Sequence, residues 1–159
     1  MVNIDELIPH RPPIRVITEA LEIEELFGRA RVVVTKQWPL CDGLAASTMM
    51  LIEAIAQTAA LVEGFKNKQK GKAGVKGWLV GTKSAEFYRA QIEVGADLIV
   101  EVKSLYSFED YAVIEGEVKD RQDVIVKAVL QAVKFEGDHP VNQQRSEERR
   151  VGKECRSRW

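Results

Sequence analysis

Two polar residues with the spacing of a helical pair, Glu53 and Gln57, stand in a mainly apolar run from Met49 to Phe65. Residues four apart lie on one face of a helix, so the two side chains are predicted to be neighbours. A helix that is apolar on most faces is usually buried, and a lone buried carboxylate costs several kcal/mol. Glu53 is therefore predicted to be either a structural residue satisfied by Gln57 or a catalytic group. Catalysis is favoured, because desolvation makes a carboxyl exchange its proton nearer neutral pH.

The segment before this run, WPLCDGLAAS, supplies the candidate substrate-binding residues. Ser47 or Thr48 is predicted to cap the helix, and the positive end of the helix dipole would polarise a carbonyl group placed there. Asp42 and Gly43 are typical of a turn, with a catalytic base as the alternative for Asp42. Cys41 is more typical of a small apolar filler than of a nucleophile.

The elements around the helix predict what covers its apolar faces. A short helical turn ended by prolines comes first, two strands precede the helix, and four strand-like segments with short turns follow it. The predicted strands cover residues 14–24, 28–36, 77–90, 96–108, 111–120 and 124–135, and the helix ends near residues 64–65. A single helix that is apolar on most faces can bury those faces only if a sheet wraps around it. The predicted fold is therefore an α+β hotdog domain over residues 1–136, an antiparallel sheet around one long central helix.

The composition of the 159 residues, of which 45% are hydrophobic, predicts one globular domain. No uncharged apolar run reaches the length of about 18 residues that a membrane span needs, and the N-terminus does not resemble a signal peptide. Cys41 and Cys155 do not make a disulfide framework, which favours a cytoplasmic location. His10 and His139 have no metal-ligand partners at a usable spacing, so no metal site is predicted.

The last 15 residues, RSEERRVGKECRSRW, show no periodicity and carry six basic and three acidic residues. One interpretation is a basic tail that contacts nucleic acid. The other is a non-native tail at residues 145–159, since codons for residues 145–155 can be written that resemble a common sequencing adapter. We favour the second, with residues 137–144 as a C-terminal extension. Without the tail the chain has 17 basic and 21 acidic residues, a net charge of −4, and no nucleic-acid partner is expected.

Three motifs resemble those of the FabA/FabZ-type 3-hydroxyacyl-[acyl-carrier-protein] dehydratases. IPHRPPIRVITEALE resembles their opening segment, LIEAIAQTAA their helix motif, and GTKSAEFYRAQIEVGADL a later pair of strands. The resemblance covers roughly residues 7–135. One feature departs from it: the loop WPLCDGLAAS lacks the histidine that is catalytic in that family. The helix motif is closer to the ApeP-like branch, which also lacks this histidine.

The resemblance implies a dehydratase-like enzyme that acts, without a cofactor, on 3-hydroxyacyl thioesters of acyl carrier protein in fatty acid or aryl polyene biosynthesis. It implies that Glu53 handles the departing 3-hydroxyl, that Gln57 orients it and that His10 is structural. Two alternatives stay open. One is a hotdog acyl thioesterase in which Glu53 activates water, and the other is a non-autonomous subunit that lends Glu53 to a dehydratase heterodimer.

The expected partners follow from charge and from the sheet edges. Acyl carrier proteins are strongly acidic, and basic patches beside a cleft steer such partners. Lys68, Lys70, Lys72 and Arg89 are the predicted docking residues, with a merely solvated basic loop as the alternative. A wrapped sheet leaves edge strands that proteins usually cover, so a homodimer or a heterodimer with another hotdog subunit is predicted.

Overall fold

The computed structural model of the chain describes residues 3–71 and 76–135. Its elements in chain order are α1 (Ile4–Leu7), β1 (Glu19–Ile23), β2 (Phe27–Val33), β3 (Ala45–Ser47), α2 (Met50–Gln69), β4 (Lys76–Phe87), β5 (Gln91–Glu93), β6 (Asp97–Phe108), β7 (Tyr111–Asp120) and β8 (Asp123–Phe135). The main sheet has six strands in the order β1-β2-β6-β7-β8-β4, and every neighbouring pair is antiparallel. This is the predicted hotdog arrangement of an antiparallel sheet and one long helix.

The core lies between α2 and one face of the sheet. Leu51, Ala54 and Ile55 of α2 are completely buried, as are Val32 of β2 and Val100 of β6. The helix approaches the sheet so closely that a Cβ atom at Gly116 of β7 would lie 2.3 Å from Ile55 Cγ2. The alternation of buried and exposed residues in β6 and β7 places their apolar side chains on this face, as expected for a half-buried strand.

The helix is longer than the sequence predicts, because it continues through Gly64 to Gln69. Glycine is a common helix terminator, and that property suggested an end near residues 64–65. Here the glycine serves close packing instead, since a Cβ atom at Gly64 would lie 2.4 Å from the backbone oxygen of Leu7. The short helix α1 therefore rests directly on the backbone of α2, in the second half of the long helix.

The start of α2 also differs from the prediction that Ser47 or Thr48 caps it. Ser47 is the last residue of β3, the N-cap is Met49, and the N-cap side chain makes no capping hydrogen bond. Thr48 Oγ1 instead donates to the backbone oxygens of Arg89 and Ala90, at 2.8 and 3.1 Å. Its hydroxyl therefore ties the start of the helix to the segment that follows β4.

The first strand begins at Glu19 rather than at residue 14, and two short strands that were not predicted, β3 and β5, form a pair of their own. No helix in residues 3–71 and 76–135 is long and apolar enough to cross a membrane. The predicted extension at residues 137–144, the predicted tail at residues 145–159, Lys72 and His139 all lie outside the described residues.

We expect Gly64→Ala to lower the free energy of unfolding by roughly 1–3 kcal/mol, because the new methyl group would overlap the backbone of α1. Helix propensity alone predicts a gain of up to about 1 kcal/mol for this change, so a loss would identify the close contact. Denaturant unfolding measures the difference. Gly77→Ala is the matched control, since a Cβ atom there meets nothing within 4 Å. Equal stability of the two variants would contradict the packing of α1 on α2.

Candidate active site

The amide of Gln57 is completely buried and makes three hydrogen bonds. Its Oε1 accepts from the backbone N–H of Val16 at 3.0 Å, and its Nε2 donates to the backbone oxygen of Ile14 at 2.9 Å and to Glu53 Oε1 at 2.8 Å. The Val16 N–H can only donate, so it fixes which side of the amide carries oxygen. Gln57 therefore joins the segment before β1 to α2 and also holds the Glu53 carboxyl group.

The side chain of Glu53 was predicted to be buried. In the structure 35% of its surface is exposed, so that prediction is wrong. The predicted neighbour relation of Glu53 and Gln57 is observed, but the buried member of the pair is the neutral amide, which costs less to desolvate than a carboxylate. Glu53 Oε1 accepts the hydrogen bond from Gln57 Nε2. The arrangement holds one carboxyl group in a fixed orientation at the surface of α2.

His10 lies beside this carboxyl group, with Nε2 at 3.7 Å from Glu53 Oε1 and 32% of the side chain exposed. His10 was not among the predicted site residues, because the resemblance implied a structural role for it. Two observations could have suggested it: it is one of only two histidines in the chain, and prolines at positions 9 and 12 limit the freedom of its backbone.

The position of His10 is set by the segment around it. Arg11 Nη1 donates to the backbone oxygens of Ile8 and His10, each at 2.9 Å, and its Nη2 donates to the backbone oxygen of Asp5 at 3.1 Å. On the other side of His10, Gln57 binds the backbone at residues 14 and 16. The histidine is therefore held between α1 and α2 at both ends of its segment.

A mainly apolar cavity of about 180 Å³ extends from these residues between α2 and the sheet. His10, Glu53 and Gln57 belong to its lining, and so do small residues of α2, strand residues of β4, β6, β7 and β8, and the charged side chains of Glu63, Lys66 and Lys134. The lining residues of α2 run from residue 53 to residue 66, which is roughly 20 Å along the helix. Within the cavity lining, Glu63 pairs with Lys134 at 2.9 Å.

The loop residues predicted to bind substrate do not line this cavity in the described part of the chain. Asp42 Oδ1 accepts from the backbone N–H groups of Leu44 and Ala45, each at 2.8 Å, and these hydrogen bonds lower the pKa of the Asp42 carboxyl group. Gly43 has a φ angle of 96°. The pair therefore forms the turn that was the first interpretation, and Asp42 is held as an ionised turn residue.

Ser47 accepts a hydrogen bond from the backbone N–H of Met49 at 3.3 Å, and Thr48 is buried against the segment after β4. Neither hydroxyl is therefore placed beside Glu53 by the contacts it makes. Cys41 is a half-buried free thiol whose Sγ accepts from the backbone N–H of Gly43 at 3.4 Å, which agrees with a filler role. In the described residues no group of three or more His, Cys, Asp or Glu side chains is placed to hold a metal ion.

The predicted docking residues do not form one patch. Lys68 lies near the end of α2 and pairs with Glu6 at 2.5 Å, and this contact lowers the pKa of the Glu6 carboxyl group. Lys70 is exposed just after the helix. Arg89 lies at the other end of α2, where Thr48 bonds its backbone, and its side chain pairs with Asp120 at 2.6 Å and Asp123 at 3.5 Å.

Comparison with known proteins identifies the family. The family described as ApeP-like, ApeP dehydratase, matches residues 2–143. The chain belongs to the ApeP-like dehydratase family. The resemblance of its motifs to hotdog dehydratases, and to the ApeP-like branch in particular, is therefore confirmed.

Several proteins that are similar to this chain are named as dehydratases. The 3-hydroxyacyl-[acyl-carrier-protein] dehydratase FabZ of Acinetobacter baylyi is 22% identical over 139 residues, covering 78% of this chain and 90% of the relative. The corresponding FabZ of Burkholderia mallei strain SAVP1 is 30% identical over 124 residues, covering 70% and 79%. A chain of the dehydratase heterocomplex ApeI:P from Xenorhabdus doucetiae superposes with a TM-score of 0.80 at 19% identity, covering 90% of this chain and 97% of that one. This superposition confirms the hotdog fold.

Replacing Gln57 by Leu is expected to lower the free energy of unfolding by about 2 kcal/mol or more. The variant leaves the backbone groups of Ile14 and Val16 without their buried partner, and each unsatisfied group costs about 1–3 kcal/mol. Thr58→Val is the control on the same helix, because the Thr58 hydroxyl is buried but bonds only the backbone oxygen of Ala54, one turn earlier. Thermal and denaturant unfolding compare the two, and a Gln57→Leu variant as stable as Thr58→Val would show that the amide holds nothing in place.

Proposed function

We propose that this protein removes water from a 3-hydroxyacyl thioester carried by an acyl carrier protein, forming the 2,3-unsaturated acyl thioester. The observation that carries the proposal is the Glu53 carboxyl group, which Gln57 holds at 2.8 Å and which lines an apolar cavity. Membership of the ApeP-like dehydratase family and the named activity of the FabZ relatives support it. A cytoplasmic location agrees with this role.

The elimination needs a base for the proton on C2 and an acid for the hydroxyl on C3. The electron pair of the C2–H bond becomes the second bond between C2 and C3, and the C3–O bond breaks with its electron pair on oxygen. A carboxylate that takes the C2 proton can return it to the departing oxygen, so that water leaves and Glu53 is regenerated. No electrons leave the substrate, and the reaction therefore proceeds without a redox cofactor.

The cavity suits the acyl chain of such a substrate. Its lining along α2 includes Ala56, Ala59 and Ala60, whose small side chains leave room between helix and sheet. Apolar walls stabilise a hydrocarbon chain by removing it from water, and pockets of this type orient a ligand through a few polar groups. Here the polar groups near Glu53 would fix the 3-hydroxyl, and the apolar part of the cavity would hold the chain.

We further propose a dimer that pairs the edge strand β4. This strand lies at one end of the sheet order, and Leu79, Val80 and Phe87 are exposed on it, a combination that natural proteins usually cover. Asp42, Gly43, Ser47 and Thr48 do not line the cavity of their own subunit, so a role of this loop in substrate binding requires the cavity of a second subunit. The ApeI:P heterocomplex supports a heterodimer as an alternative to a homodimer.

Lys70 and Lys68 are the residues of the described chain that we propose for carrier-protein docking, because both lie at the end of α2 where Lys66 lines the cavity. Lys72 follows them in sequence. Arg89 lies at the opposite end of the helix and pairs with two aspartates, so it does not belong to the same patch. An acidic carrier would be steered to the lysine end by long-range attraction, which salt weakens.

Glu53→Gln is expected to reduce turnover of 3-hydroxyacyl carrier protein by about 10²-fold or more, the usual scale for loss of a general acid–base group. The folded state should hold, because a glutamine oxygen can still accept the hydrogen bond from Gln57. Mass spectrometry of the carrier-bound acyl group measures the reaction, and thermal melting checks the fold. Glu22→Gln, an exposed residue of β1, is the matched control.

Three outcomes of this assay separate the candidate functions. Loss of water that depends on Glu53 supports dehydration. Release of the free acyl group would identify a thioesterase, and no change with this chain alone but loss of water after addition of a second hotdog subunit would identify a heterodimer. Dehydration that survives Glu53→Gln unchanged would contradict the proposed role of Glu53.

A further inference from the structure

We infer that His10 is a catalytic residue that binds the 3-hydroxyl group of the substrate together with Glu53. The inference rests on the proposed dehydration and adds a second group to its site. It starts from the distance of 3.7 Å between His10 Nε2 and Glu53 Oε1. This distance is too long for a direct hydrogen bond, yet a single oxygen atom can lie about 2.8 Å from both atoms.

The tautomer of His10 follows from the burial of its other nitrogen. Nδ1 is buried and has no hydrogen-bond partner among the described residues. A neutral imidazole carries one N–H group, and an N–H on Nδ1 would be buried without an acceptor, which is costly. The proton of the neutral ring therefore belongs on Nε2, the nitrogen near Glu53, where it is available as a donor.

The two groups can then hold the hydroxyl oxygen in complementary ways. The Nε2–H of His10 donates to the 3-hydroxyl oxygen, and the hydroxyl proton points to the carboxylate of Glu53. As the C3–O bond breaks, negative charge grows on this oxygen, and a donor aimed at it stabilises the transition state. Glu53 delivers the proton that it took from C2, water leaves, and the Nε2–H of His10 is unchanged at the end.

The segment that carries His10 is built to keep this geometry. Arg11 fixes the backbone at Ile8 and His10, and Gln57 fixes residues 14 and 16 while it also bonds Glu53. The buried amide of Gln57 therefore positions both the segment that carries the His10 donor and the carboxyl group of Glu53. A preorganised donor of this kind loses little entropy when the substrate binds.

The test compares two unreactive probes that differ only in the hydroxyl group. They are the 3-hydroxyacyl and the saturated acyl amides of pantetheine with the same chain length, in which an amide replaces the thioester. The full-length protein should bind the hydroxylated probe about tenfold or more tightly than the saturated one, because a site built to bond a hydroxyl discriminates against its absence. Calorimetry or a fluorescence competition assay measures both affinities.

His10→Phe should abolish this preference and change the affinity for the saturated probe less than about threefold, since the ring is kept and the Nε2–H is lost. Its kcat/KM with 3-hydroxyacyl carrier protein should fall by about 10²-fold, the scale for loss of one such donor. His10→Gln, which keeps an N–H donor, should retain part of both properties. His139→Phe, at the other histidine of the chain, is the matched control, and melting temperatures check the fold of each variant.

The inference is overturned if the wild-type protein shows no preference for the hydroxylated probe, or if His10→Phe keeps the preference or the turnover. If His10→Phe does not fold, the same comparison is made with His10→Gln and His10→Leu. The glutamine variant should then keep more of the preference for the hydroxylated probe than the leucine variant. A preference that depends on His10 in a protein that does not remove water would support the hydroxyl contact and contradict the dehydration. Dehydration without any role of His10 would leave the proposed function standing.

Discussion

The side-chain amide of Gln57 is the interaction on which the rest of the site depends. It is fully buried, and its three hydrogen bonds join residues that are far apart in the chain, at positions 14, 16 and 53. Without this amide the segment before β1 would have to satisfy its backbone groups elsewhere, most simply by extending β1. The chain instead bends onto α2, which brings His10 to Glu53 and forms one end of the cavity.

Much of the fold could be predicted because strand alternation and the length of one apolar helix leave few architectures. The predictions of the helix ends were wrong at residues whose type is explained by a contact with a distant part of the chain. Gly64 suggested a helix end, but it is small because α1 rests on it, and Thr48 suggested a cap, but its hydroxyl bonds the backbone at residues 89 and 90. A local pattern carries no information on such partners, which lie 41 or more residues away.

The spacing along one helix predicted the contact between Glu53 and Gln57, but it could not predict contacts that depend on the tertiary structure. A spacing of four positions places Glu53 and Gln57 side by side, but only the packing of residues 14–16 shows that the amide is the buried member. His10 reaches Glu53 across 43 positions of sequence, and its resemblance to a structural residue of related dehydratases gave it no catalytic role. Family membership therefore supports the reaction class, whereas the groups that we propose for catalysis come from the geometry of this chain.

The most direct measurement of the central claim is a crystal structure of the full-length protein with a 3-hydroxyacyl pantetheine amide bound. The account predicts the acyl chain in the cavity along α2 and the 3-hydroxyl oxygen within hydrogen-bond distance of both His10 Nε2 and the Glu53 carboxyl group, with the Gln57 contacts unchanged. An acyl chain outside this cavity, or a hydroxyl group that contacts neither side chain, would contradict it.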